Sequence, residues 1–163
     1  MHELAQVRSA KAKFVERKEL AVLNSPLELS GVLIYTAPGR LEKHTLKPRP
    51  ESLVLDEKTL RIEDKAKGRS RTIMLEEQPV LWAFVESIRA TLAGDLKTLH
   101  RFYDVDLRGE EQNWHLTLKP RDPRMQTVVD EIGIGGSRNQ VRTIEVHERH
   151  GDRSLMTITD VTQ

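Results

Sequence analysis

The sequence predicts a mainly β (α+β) protein, built as a curved, incomplete antiparallel β-barrel of about eleven strands with helices covering its open mouth. Three observations predict this fold. Short segments of alternating polarity follow one another closely, with Gly, Pro, Asn and Asp residues between them, as in a β-meander. One amphipathic helix interrupts the series, and strands do not alternate with helices as they do in parallel sheets.

The first segments combine helical and strand-like spacing. Leu4, Val7 and Ala10 recur at helical intervals, which indicates the end of an N-terminal helix. After Ala10 the period of polarity becomes two, so we predict a first strand at 12–19. The Asn-Ser-Pro sequence at 24–26 then favours a turn, because Asn and Ser bond to nearby backbone groups and Pro cannot donate to a strand ladder.

The segment 27–36 is a clear strand candidate, since it is rich in apolar and β-branched residues. In the turn that follows, Pro38 would fix its own φ and Gly39 would accept a positive φ. Four further strands are predicted between turn residues: 40–46, 51–56, 60–64 and 69–75. An antiparallel sheet with so many strands is expected to curl or close, because its edges need protection.

One long helix is predicted to begin near Pro79, since Pro suits the first helical turn and the preceding Glu76 and Glu77 favour a helix N-terminus. Gly94 suits the position after the helix end, and Asp95 can cap a short second helix. The large apolar side chains of the long helix fall within an arc of about 140° on a helical wheel: Val80, Leu81, Phe84, Val85, Ile88 and Leu92. We therefore expect this helix to lie on an apolar surface.

Alternating polarity returns after the helices. It predicts five more strands: 102–108, 113–119, 128–135, 140–148 and 153–161. One face of the strand 113–119 carries three apolar residues: Trp114, Leu116 and Leu118. In the last hairpin the apolar residues of the two strands are predicted to face each other: Ile144 and Val146 with Met156 and Ile158.

Composition restricts the classes of partner. The 26 Lys and Arg residues nearly balance the 25 Asp and Glu residues, so we expect no attraction to nucleic acid through a field of one sign. The absence of Cys excludes disulfides and thiolate metal sites. No apolar run approaches the ~18 residues of a membrane-spanning helix, and the first residues lack the pattern of an export signal. The 163 residues suit a single domain, 1–163.

We predict no catalytic site, metal site or cofactor. His147 and His150 are possible metal ligands by type, but they flank a predicted turn where side chains alternate between faces. Asp104 and Asp106 would lie about 7 Å apart on a polar strand face, where solvated carboxylates are the usual outcome. The basic segment 65–71 is either a solvated hairpin tip or a docking patch for an acidic partner or a lipid head group.

Several motifs together resemble a known family. The segment 30–41, SGVLIYTAPGRL, is followed at 56–60 by DEKTL, and this order resembles the LolA/LolB-like outer-membrane lipoprotein carriers. Two other strands contain shorter matches: Ala12-x-Phe14-x-Glu16 and Trp114-x-Leu116-x-Leu118-x-Pro120. The resemblance extends from about residue 4 to residue 160 and rests on the order and spacing of these motifs.

The resemblance implies a half-barrel whose cavity holds the acyl chains of lipoproteins crossing the periplasm of a Gram-negative cell. Its implied partners are lipoprotein acyl chains or another lipid, together with an inner-membrane donor and an outer-membrane acceptor protein. We expect no nucleic-acid partner, no enzymatic activity and a monomer. We also expect localisation in the periplasm, with the export signal absent from this sequence.

The sequence departs from the carriers at two places. Ala37 precedes Pro38, where the carriers have an Arg that is implicated in handing over lipid. The carriers also continue past the equivalent of Val161 into another strand-bearing segment. A shorter relative that serves another lipid or glycolipid system therefore fits better than the housekeeping carrier.

We expect fifteen apolar residues to contact lipid in the cavity or from the helical lid. They are Phe14, Leu33, Tyr35, Leu41, Leu81, Phe84, Val85, Ile88, Trp114, Leu116, Leu118, Ile144, Val146, Met156 and Ile158. The same residues could instead form a filled core. In that case the protein would be a periplasmic protein-binding or sensory module with no transported lipid.

Overall fold

The structure, a computed structural model, describes residues 3–163. The eleven strands are β1 (Ser9–Glu19), β2 (Leu27–Thr36), β3 (Arg40–Lys47), β4 (Glu51–Asp56), β5 (Thr59–Asp64), β6 (Arg69–Met74), β7 (Tyr103–Glu110), β8 (Asn113–Pro120), β9 (Val129–Ser137), β10 (Gln140–Glu148) and β11 (Arg153–Thr162). The helices are α1 (Pro79–Leu92), α2 (Leu96–Phe102) and α3 (Pro123–Gln126), and two 3-10 helices span Leu4–Gln6 and Leu75–Glu77.

All eleven strands belong to one antiparallel sheet, in the order β6-β5-β4-β3-β2-β1-β11-β10-β9-β8-β7. Neighbouring strands are consecutive in the chain except where β1 pairs with β11. The helices α1 and α2 connect the two edge strands, β6 and β7, which do not pair with each other within residues 3–163. The predicted fold class, an open antiparallel half-barrel with covering helices, is confirmed.

The chain differs from the prediction at several places. The expected N-terminal helix is wrong beyond Gln6, because Ala10 already lies in β1 and pairs with Tyr35 of β2. The helix α3 was not predicted, although Asp122 accepts a hydrogen bond from the Arg124 backbone N–H and so caps it. In the last hairpin Ile144 faces Met156 as predicted, whereas the partner of Val146 is Ser154.

The glycine of the β2–β3 turn has a different role from the predicted one. A positive φ was expected at Gly39, but the glycines with positive φ in the described chain are at other positions. A Cβ atom at Gly39 would come within 2.7 Å of Arg89 Cδ, because the Arg89 side chain of α1 lies against this turn. A side chain at position 39 would therefore displace the Arg89 side chain from this turn.

Small side chains on α1 allow it to pack closely on α2 and on the first residue of β7. Ser87 and Thr91 are almost completely buried, and each satisfies its hydroxyl group by donating to a carbonyl of the preceding turn, Phe84 and Ser87 respectively. Tyr103, at the start of β7, donates from its hydroxyl group to the Ala83 carbonyl at 2.6 Å. Burial raises the pKa of Tyr103 well above its ordinary value, so the phenol remains a donor.

The junction of α1 and α2 uses the predicted capping residues. Gly94 adopts a φ of 68° just beyond α1, where a residue with a side chain would be strained. The Asp95 carboxylate accepts hydrogen bonds from the Thr98 hydroxyl at 2.6 Å and from the Thr98 backbone N–H at 3.1 Å. These bonds fix the start of α2 and thereby the position from which the chain enters β7.

A glycine also lets β2 and β3 approach each other. The register shifts between Ser30 and Gly31, which face Lys47 and Thr45, so Leu46 is an extra residue in β3. A Cβ atom at Gly31 would overlap the carbonyl group of His44. The sheet therefore depends on a glycine at this bulge.

Replacing Gly31 with Ala is expected to destabilise the protein by about 1–3 kcal/mol, because the backbone of β3 must move to accommodate the methyl group. Urea denaturation measures the change. Gly133→Ala in β9 is the matched control, since its nearest contact would be the His115 ring at 3.4 Å, an ordinary van der Waals distance. Equal losses in the two variants would contradict the structural role assigned to Gly31.

Replacing Asp95 with Ala is expected to cost about 1 kcal/mol at neutral pH through loss of the helix cap. The hydrogen bonds from the Thr98 side chain and backbone lower the pKa of Asp95 in the folded state. Its stabilisation is therefore complete above the unfolded-state pKa of about 3.9 and is lost as the pH falls through the lowered folded-state value.

Asp95→Asn keeps a capping oxygen without a titrating group. The stability of the wild type relative to Asp95→Asn should consequently fall on acidification, which urea denaturation at neutral and acidic pH would measure. A difference that does not change with pH would show that the ionised carboxylate contributes nothing to the cap.

Candidate functional site

The concave face of the sheet has a filled side, where side chains form a packed core, and another side that borders a cavity. On the filled side, Leu116 and Leu118 of β8 and Ile132 of β9 are fully buried in a core that includes Ala83 and Ala90 of α1. On the other side, a cavity of about 770 Å³ lies between α1 and the strands β1 to β5 and β9 to β11. This volume is within the range of about 300–1,000 Å³ that is usual for ligand sites.

Most of the fifteen predicted contact residues line this cavity. They come from β2 and β3, from the hairpin β10–β11 and from α1. The lining members are Leu33, Tyr35, Leu41, Leu81, Phe84, Val85, Ile88, Ile144, Val146, Met156 and Ile158. The amphipathic stripe of α1 therefore faces hollow space as well as packed side chains.

The other four predicted residues do not line the cavity. Leu116 and Leu118 belong to the filled core. Trp114 lies flat against Gly136 of β9, where a Cβ atom would overlap the indole ring, and its Nε1 donates to the Arg138 carbonyl at 3.0 Å. Phe14 is buried beneath Lys43, whose Nζ lies 5.3 Å from the ring centroid.

Several further residues of the cavity wall were not among the fifteen expected lipid contacts. Among them are Ala12, Leu53, Leu55, Leu60, Val80 and Leu92. Period-two spacing in β4 could have identified Leu53 and Leu55, since they share the face of their cross-strand partners Ile62 and Leu60. The helical wheel already contained Val80 and Leu92.

Tyr35 is a polar exception among the apolar residues of the wall. It is 5% exposed, and burial raises the pKa of its phenol above the ordinary value. The hydroxyl group therefore stays neutral at physiological pH.

A charged pair also faces this cavity. Lys43 Nζ of β3 lies 2.7 Å from Glu16 Oε1 of β1 and donates a hydrogen bond to it. Both residues line the cavity, and the side chains are only 22% and 9% exposed. The alternation of β1 places Glu16 on the same face as Phe14, so an inward carboxylate was readable from the sequence. Its partner Lys43 lies two strands away, so the pairing itself was not readable from the sequence.

The other candidate groups lie outside the cavity. His147 Nε2 is 2.9 Å from Glu145 Oε1, and His150 is exposed in the β10–β11 turn. Asp104 and Asp106 pair with Arg121 and Arg108 on the surface of β7. The basic segment 65–71 is exposed at the β5–β6 turn and along β6.

The described part of the chain shows neither a metal centre nor a membrane-crossing helix. No cluster of three or more His, Asp or Glu side chains with the geometry to hold a metal ion occurs within residues 3–163. Of the helices in this range, none is long and apolar enough to cross a membrane.

Solved structures with the same fold include a LolA superfamily protein from Nitrosomonas europaea, with a TM-score of 0.51 and 9% identity over 99% of this chain and 90% of that one. A chain in the MucA/MucB complex of Pseudomonas aeruginosa gives a TM-score of 0.54 and 15% identity over 98% of this chain. This chain covers 53% of that one, about half its length. At such identities the similarity concerns the fold alone.

The sequence itself identifies the family. No curated protein matches it at a significant level. Residues 1–160, however, match the family described as outer membrane lipoprotein carrier protein LolA-like, in agreement with the resemblance found in the strand motifs. With nearly the whole length matched and the half-barrel fold in place, this chain belongs to the LolA-like family of outer membrane lipoprotein carrier proteins.

Proposed function

We propose that this protein is a periplasmic carrier that binds the acyl chains of a lipoprotein or a related lipid in its cavity and carries them toward the outer membrane. The observation that supports this proposal most is the hollow between α1 and the sheet, about 770 Å³ and lined mainly by apolar side chains. Membership of a carrier family agrees with it. In this proposal the 163 residues act as one lipid-binding domain.

The physical basis of binding is the removal of hydrocarbon from water. Each buried methylene contributes about 0.8 kcal/mol, so a 16-carbon chain contributes at most about 12 kcal/mol. Association costs an estimated 4–15 kcal/mol in lost freedom of motion. At the lower end of this cost the surplus is about 8 kcal/mol, a micromolar affinity that is sufficient for transport and still allows release. No chemical step is required.

The proposed contacts fall into two groups. The eleven predicted residues that line the cavity would touch the acyl chain, with Phe84 and Ile88 contributing from α1. The four that do not line it, Phe14, Trp114, Leu116 and Leu118, would support the wall from behind. Loading and receiving proteins at the two membranes remain part of the proposal.

The alternative is a protein-binding module of the same fold. The similarity to a chain in the MucA/MucB complex favours this alternative, since that complex joins two proteins. Native mass spectrometry after gentle purification distinguishes the two functions. Lipid that co-purifies with the protein supports the carrier, whereas an empty cavity that takes up no acyl probe supports the protein-binding module.

Introducing a charge on the cavity side of α1 is expected to abolish lipid binding. Phe84→Asp and Ile88→Asp should each weaken the binding of a fluorescent fatty acid by at least about 100-fold, because the bound chain would have to desolvate a carboxylate. Fluorescence titration measures the affinity, and circular dichroism checks that the β content is retained.

Val15→Asp is the matched control for these variants. Val15 is 45% exposed on the opposite face of β1, between Lys13 and Arg17, so this carboxylate should leave binding within about twofold of the wild type. Normal lipid binding by both α1 variants would remove α1 from the binding site.

Measurements of unfolding free energy can test whether the cavity is empty. Leu118 on the filled side and Leu55 at the cavity wall are both at least 95% buried. Substituting a buried Leu with Ala usually lowers the free energy of unfolding by about 2–5 kcal/mol. The loss should lie in the upper part of this range for Leu118→Ala and near its lower end for Leu55→Ala, because part of the Leu55 surface already faces empty space. Urea denaturation gives both values, and equal losses would indicate a wall that is packed solidly on both sides.

A further inference from the structure

A largely buried ion pair at the wall of a mainly apolar cavity requires an explanation. Removing two charges from water is costly, and replacing such a pair with apolar side chains often stabilises a protein. The pair of Glu16 and Lys43 nevertheless lies at the wall of the cavity, 27 positions apart in the sequence and two strands apart in the sheet. Stability alone does not account for the pair, whereas a role in ligand binding would.

The pair has hydrogen-bonding capacity that the protein does not use. Within residues 3–163, the Lys43 ammonium group makes one hydrogen bond, to Glu16 Oε1, and lies over the Phe14 ring. The Glu16 carboxylate accepts only this bond from the described side chains. An ammonium group has three donors and a carboxylate about four acceptor positions. A ligand group can therefore accept from Lys43 and donate to Glu16 without separating them.

The charges around the cavity are balanced. Among residues 3–163, the charged residues that line the cavity are three acids, Glu16, Glu148 and Asp152, and three bases, Lys18, Lys43 and Arg153. A carboxylate or phosphate that entered this environment would find no excess of positive charge to offset its lost hydration. An uncharged polar group, such as an ester, an amide or a hydroxyl, has a far smaller desolvation cost.

We propose that the Glu16–Lys43 pair is the binding point for the uncharged polar linkage of an acylated ligand and makes the cavity select acyl esters or amides over free fatty acid anions. The ester or amide carbonyl accepts a hydrogen bond from Lys43, and an adjacent hydroxyl or N–H donates to Glu16. The hydrocarbon then extends along the apolar wall formed by Leu33, Leu41 and Phe84. This inference rests on the proposed carrier function.

The test compares two ligands with the same 16-carbon chain, palmitate and 1-palmitoylglycerol, by displacement of a fluorescent acyl probe at about pH 8, where the fatty acid is ionised. The measured quantity is the selectivity, the Kd for palmitate divided by the Kd for 1-palmitoylglycerol. We expect it to be at least about tenfold in the wild type.

The two single variants should shift this selectivity in opposite directions. Glu16→Gln leaves Lys43 without its counter-charge, so palmitate should bind relatively better and the selectivity should fall at least about tenfold. Lys43→Gln leaves Glu16 negative and unpaired, so the selectivity should rise by a similar factor.

Two further variants make the outcome independent of folding defects. The double variant Glu16→Gln/Lys43→Gln contains no unpaired charge and is expected to show a selectivity between those of the two single variants. Asp160→Asn is the matched control, because it breaks the pair of Lys13 and Asp160 (3.5 Å), which lies outside the cavity with side chains 71% and 68% exposed. It should change selectivity by less than about twofold.

The possible failures are distinct. If the wild type and the Glu16→Gln, Lys43→Gln and double variants bind both ligands with the same selectivity, the role of the pair is overturned while the carrier function stands. Shifts of the two single variants in the same direction also overturn it. If the wild type binds neither ligand nor the probe, the carrier function fails, and this inference fails with it.

Discussion

The architecture depends on one mismatch of size: a single long helix must cover the concave face of an eleven-stranded sheet. Where α1 presents small residues such as Ala83 and Ala90, they belong to one core with residues of β8 and β9. Where it presents Leu81, Phe84 and Ile88, the same side chains that pack on their neighbours also line a cavity. The same helix therefore contributes one face to the packed core and another face to the wall of the cavity.

The sequence predicted the fold class and most strand positions because each strand alternates in polarity and ends at turn residues. The segments 27–36, 51–56 and 140–148 coincide with β2, β4 and β10. The failures occurred where a pattern was too short to have a period. Leu4, Val7 and Ala10 fit a helix in isolation, but the pairing of Ala10 with Tyr35 imposes an extended backbone. Tertiary pairing, which local spacing does not contain, decided that segment.

The site was less predictable than the fold for a similar reason. Alternation shows which residues face inward, but it does not show where inward residues meet opposing side chains. Trp114 and Leu33 are both large apolar residues in predicted strands, yet Trp114 packs on Gly136 and Leu33 borders the cavity. The pairing of Glu16 with Lys43 likewise depends on a diagonal contact across β2, which passes the position where Gly31 has no side chain. Such contacts depend on sheet curvature, and curvature is a property of all the strands together.

The unpaired edges give the cavity a property that a closed barrel lacks. In a closed barrel the number of strands and their stagger set the circumference, and widening it would break hydrogen bonds between strands. In this protein β6 and β7 are joined through α1 and α2 instead of through a ladder. Uncurling of the sheet would therefore not require any strand pair to separate. The width of the cavity is thus governed by the twist of the strands and by the length of the connecting helices. A change in this width to fit ligands of different thickness would therefore cost little energy.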